Sequence, residues 1–169
     1  MITALIIVPA VAGAAAFLFR KPALCRGLLI GSAVLHLALV ALCWRQTPAS
    51  AAGGWLALDA PGLLFLSIAS VLFLLASLYR VGPARAEAPK RDFEEGFLFT
   101  STPESIFSGC MLLFLSTMTL VCTSQQSGLV WIAIEATTLA SAPLIYFHRH
   151  RRSLEAAWKY LLICSVGIA

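Results

Sequence analysis

Long apolar runs alternate with short polar breaks along the whole chain. The runs occupy about 2–19, 27–44, 62–79, 105–123, 128–147 and 156–169. An α-helix needs roughly 20 apolar residues to cross a hydrocarbon core of about 30 Å. The first five runs approach that length. The sixth, at 1.5 Å per residue, reaches roughly 21 Å and reads as an incomplete span. The pattern therefore predicts a single all-α integral membrane domain with about six transmembrane helices. A signal peptide is the competing reading of the first run, but Arg20 and Lys21 follow the apolar stretch instead of preceding it. That is the wrong polarity for a signal.

The breaks carry their own signals. Residues 45–58 include TPASAAGG, which has the small-residue composition of a soft loop. Asp59 then suits an N-cap, with Pro61 in the first turn where its missing N–H does no harm. Residues 80–104 form the one substantial polar segment. Arg85, Glu87, Lys90, Arg91, Asp92, Glu94 and Glu95 mix both signs there, which favours a solvated cytoplasmic loop over a catalytic carboxylate pair. TSQQSG is a link so short that the spans it joins must be antiparallel neighbours. After the fifth run comes HRHRR. A metal site on His148 and His150 would be opposed by the adjacent arginines, so an interfacial loop is the better reading.

Composition narrows the class further. Hydrophobic residues make up 60% of the chain and charged residues 12%. A soluble domain carries roughly twice that charge fraction. The net charge of +4 reads as topology rather than as nucleic-acid binding. The breaks after the first, third and fifth spans are basic, while those after the second and fourth hold Arg45 and no charge, respectively. Basic loops belong in the cytoplasm, which predicts a cytoplasmic-membrane location with the N-terminus outside. Cys25, Cys43, Cys110, Cys122 and Cys164 form no CxxC pair. Buried, inert thiols are expected, with no metal, cofactor or catalytic residue in this chain.

The candidate chemistry lies in the fifth span. LVWIAIEATTLASAPLIYF carries Glu135 well inside it, where a carboxylate costs about 2.5–3.5 kcal/mol on insertion scales. Ala133, Ala136, Thr137, Thr138, Ala140, Ser141 and Ala142 surround it. Small and hydroxylated residues let neighbouring helices approach and offer hydrogen bonds. Glu135 is the candidate proton carrier. Thr138, His36 and Lys159 are candidates for its path. Each has a structural alternative: Glu135 and His36 as packing hydrogen-bonders, and Lys159 as an anchor snorkelling to the headgroups.

Two runs resemble a known family. WIAIEATTLASAPLIYFHRHRRSLEAAWKYLLICSVGIA and LDAPGLLFLSIASVLFLLASLY are similar to the hydrogenase-4 component F family. That family belongs with the antiporter-like subunits of NADH–quinone oxidoreductase, group 4 membrane-bound hydrogenases and multisubunit cation/proton antiporters. IEATTLAS and RRSLEAAWKY carry the specificity; the first two spans match in placement and hydropathy only. The resemblance implies the N-terminal portion of an antiporter-like bundle of about fourteen helices in two inverted repeats. It implies that Glu135 is the proton-channel carboxylate, paired in the family with a lysine on a later broken helix that this sequence does not reach. A fragment, or a subunit whose other half is encoded separately, is therefore expected. Partners would be other membrane subunits holding the redox centres. A non-conducting scaffold and part of a cation/proton antiporter are the competing functions.

Overall fold

A computed structural model of the chain describes residues 1–19, 21–46, 48–81, 103–146 and 151–168. Among these there are six α-helices: α1 (Ile2–Leu18), α2 (Pro22–Arg45), α3 (Ala60–Val81), α4 (Pro103–Thr123), α5 (Ser127–Ile145) and α6 (Arg151–Ile168). Each coincides with one of the apolar runs. Four of them, α2 to α5, are long and apolar enough to cross a membrane. The chain is thus an all-α integral membrane protein. α1 is apolar but shorter.

Prolines set two of the starts earlier than hydropathy alone suggests. Pro22 and Pro103 open α2 and α4. A missing N–H is harmless in a first turn, and the fixed φ is already helical. Arg26 and Glu104 consequently lie inside helices. Asp59 caps α3 as expected, its Oδ1 accepting the Gly62 N–H at 3.0 Å.

The helices alternate in direction, and α4 lies at the centre, packed against α1, α2, α3 and α5. Ser116 donates to the Ile6 carbonyl at 2.8 Å, and Ser105 to the Phe19 carbonyl at 2.7 Å, so α1 and α4 run antiparallel. Their approach depends on small residues. A Cβ on Gly109 would stand 2.7 Å from the Phe17 ring, and one on Gly13 would stand 3.1 Å from the Gly109 carbonyl oxygen. Lipid tails supply no hydrophobic drive between helices, so such close packing and the cross-helix hydrogen bonds hold the bundle.

Alternation leaves two ends. One gathers Lys21, Arg26, Arg80 and the first turn of α4; the other gathers Arg45, Asp59 and the α4–α5 turn. The loop expected to be soft is tied down at this second end. Leu56 bridges Ala51 and Ser124, Ala57 N–H donates to the Thr123 carbonyl at 2.9 Å, and Gln125 N–H donates to the Trp55 carbonyl at 2.9 Å. The small residues let it turn tightly: Gly53 and Gly54 adopt φ of 67° and 94°. The backbone groups of this loop find partners in the α4–α5 turn, which a composition of small residues does not reveal.

Among the described residues the core has two apolar clusters. Ala12, Leu29, Ala33, Phe73, Leu112 and Leu115 form the one nearer the basic end; Leu5, Val40, Cys43, Leu63 and Leu66 form the other. A polar layer separates them.

Candidate functional site

Glu135 occupies the middle of α5, eight residues past Ser127 and ten before Ile145. It is half-buried. Thr138, one turn on and buried, donates to the Glu135 carbonyl at 2.8 Å and reaches its carboxylate Oε2 at 3.5 Å. That second contact is at the limit of a hydrogen bond. The bond to the Glu135 carbonyl holds the Thr138 hydroxyl on the carboxylate's side of α5. Thr137 and Ser141 likewise bond back to the Ala133 and Thr138 carbonyls, at 2.8 and 2.9 Å. Such back-bonding satisfies hydroxyls within an apolar helix without a neighbour. Ser141 also meets the Tyr160 hydroxyl at 2.9 Å, which joins α5 to α6.

Lys159 is exposed, and its ammonium pairs with Glu155 one turn earlier at 2.5 Å. The pair lies on one face of α6, and the structure gives Lys159 this partner rather than Glu135. An exposed (i, i+4) pair adds little stability. Its position suits a headgroup anchor.

His36 stands in a different place. It is 1% exposed at the middle of α2. Its Nε2 is 3.0 Å from Thr119 Oγ1 on α4, and its Nδ1 is 3.0 Å from Ser70 Oγ on α3. Three helices therefore meet on one imidazole. Of the expected site residues, Glu135 and Thr138 come together; His36 has other partners.

One ionic pair was not anticipated. Arg26 of α2 bonds to Glu104 of α4 at the basic end, each side chain about three-tenths exposed. Glu104 sits in the first turn of α4, where the helix dipole favours a carboxylate. Nearby, the Arg80 guanidinium lies 4.8 Å over the Phe107 ring. The sequence reading assigned Glu104 to a solvated loop and Arg26 to topology alone. The available signal was Pro103, which marks a helix start just before Glu104. Residues 82–102, with Glu95 and the mixed charges, lie outside the described residues, as do His148, Arg149 and His150. Among the described residues no His, Cys, Asp and Glu cluster could hold a metal.

These features define a polytopic helical membrane protein with ionisable groups at mid-helix. The chain is 35% identical to a hydrogenase-4 component F homolog from Methylacidiphilum infernorum (isolate V4), over 66% of this chain and 24% of that protein. The resemblance carried by the fifth and sixth runs is thereby supported: this chain is a relative of that hydrogenase-4 component F homolog. The match spans about a quarter of the relative's length. No protein-family model and no solved structure matches the chain.

Proposed function

We propose that this chain is part of a proton-translocating, antiporter-like membrane subunit of a hydrogenase- or complex-I-like assembly. Glu135 is its proton carrier, and redox chemistry belongs to partner subunits. The observation that carries the reading is a carboxylate at the centre of an apolar helix, with a buried hydroxyl fixed beside it. An intramembrane acid is costly and is retained mostly where protons or ions move. In this reading α1 to α5 cross the membrane and α6 belongs to a sixth span. The end bearing Lys21, Arg26 and Arg80 faces the cytoplasm, and the N-terminus lies outside.

The test is Glu135→Gln in the complete subunit and its assembled complex. Gln keeps the shape and cannot carry a proton on and off. Proton translocation per electron in proteoliposomes should fall at least tenfold, with assembly and electron transfer capacity retained. Translocation at the wild-type ratio would leave Glu135 as a packing residue and favour the scaffold function. Translocation that requires sodium would favour the cation/proton antiporter.

A further inference from the structure

The polar layer between the two apolar clusters has a proton inventory that its geometry makes countable. Ser70 Oγ donates to the Leu66 carbonyl at 2.7 Å, and Thr119 Oγ1 donates to the Leu115 carbonyl at 2.7 Å. A hydroxyl has one hydrogen, and a carbonyl has none to give. With both hydroxyl hydrogens committed to backbone, the two 3.0 Å contacts to His36 require hydrogens from the ring. Only an imidazolium supplies both. A neutral ring supplies one, and then one hydroxyl must turn its hydrogen from the carbonyl to the bare ring nitrogen. That turn loses little, because Leu66 O and Leu115 O lie within helices and already accept a backbone N–H.

We infer that His36, held between Ser70 and Thr119, is a second proton-binding site of the bundle, its ring gaining and losing a proton without movement of heavy atoms. A hydronium ion gives its proton to the bare ring nitrogen and is left as water, the ring becomes imidazolium, and the hydroxyl that faced it rotates to its own carbonyl. Release runs in reverse. Among the described residues of α2 and of the helices packed against it, no acid or base hydrogen-bonds the ring; Glu135, at similar depth, is on α5, which packs on α4 and α6. α1 carries no titratable side chain. On α2 the nearest charges, Arg26 and Arg45, are ten and nine residues away. Tyr79 and Arg80 lie at the far end of α3, Asp59 precedes it, and Glu104 opens α4. Cys25 and Cys43 on α2, and Cys110 and Cys122 on α4, are each at least three residues from the triad along their helices.

This site stands apart from Glu135, and its test can fail independently of that reading. The chain has three histidines. With His148→Gln and His150→Gln in place, every histidine signal comes from His36. The measurement is solid-state nuclear magnetic resonance of ring-15N-histidine in the intact chain in lipid bilayers, across the pH range in which the protein stays folded. The expected result is reversible conversion between a ring with one protonated nitrogen and a ring with two. Thr119→Val should lower the doubly protonated fraction about tenfold at a fixed pH, because one charge-assisted hydrogen bond is lost. Glu135→Gln should leave it unchanged. A single neutral tautomer at every pH would overturn the proposal and make His36 a fixed tie between helices. A ring doubly protonated throughout would overturn it as well.

Discussion

α4 and α5 are neighbours of similar length, yet α4 reaches more of its neighbours through its hydroxyls than α5 does. Among the four long apolar helices α4 is the most buried and α5 the least. On α4, Thr117, Thr119 and Thr123 bond back to their own helix, but Ser116 donates to α1, Ser105 donates to the Phe19 carbonyl just past it, and Thr119 also meets His36 of α2. α5 carries the more expensive group, Glu135, and its hydroxyls bond mainly to their own backbone. The contrast separates two uses of polarity inside a membrane. Ser105, Ser116 and Thr119 on α4 tie helices together. Thr138 on α5 keeps the carboxylate's surroundings polar.

Substitutions on the two sides of α4 should expose that difference as stability. The largest effect belongs to the α1–α4 contact. Gly109→Leu drives a side chain into the Phe17 ring and should cost about 3 kcal/mol, measured by reversible unfolding in bicelles. Gly62→Ala should cost about 2 kcal/mol, because its Cβ would stand 2.5 Å from the Asp59 cap and 2.6 Å from the Cys122 carbonyl oxygen. Separating Arg26 from Glu104 by Glu104→Gln should cost about 1 kcal/mol, reduced by solvent reaching both groups, and less at high salt. On the α5–α6 side, Gly128→Ala meets open space, and Glu155→Gln removes only an exposed pairing. Neither should change the unfolding midpoint measurably. An α5 glycine as sensitive as Gly109 would break the comparison.

What the sequence makes legible follows the same division. Helices announce themselves by local chemistry: apolar runs of spanning length, and Asp59 with Pro61 two residues on at the start of α3. Pro22 and Pro103 carry the same signal for α2 and α4, and the sequence reading left it unused. Glu135 stands out because an acid in an apolar run is visible without knowing its neighbours. Contacts made across the bundle are not visible in this way. Arg26 and Glu104 are far apart in the chain, and nothing in either segment names the other as partner. His36 could be seen as buried at mid-span, but Ser70 and Thr119 are two among many hydroxyls until helix directions and rotations are fixed. The loop before Asp59 read as soft because its residues are small; its order comes from the α4–α5 turn against which it lies.

The account rests on Glu135 exchanging a proton from within the membrane, and that event has a direct optical signature. A protonated carboxyl has a carbonyl stretching band that a carboxylate lacks. Infrared difference spectra of the assembled complex in bilayers, recorded between resting and turnover states, should contain one such band that disappears in Glu135→Gln and survives in Glu104→Gln. Spectra identical in wild type and Glu135→Gln would show that this carboxyl keeps one protonation state throughout, and would contradict its role as the carrier.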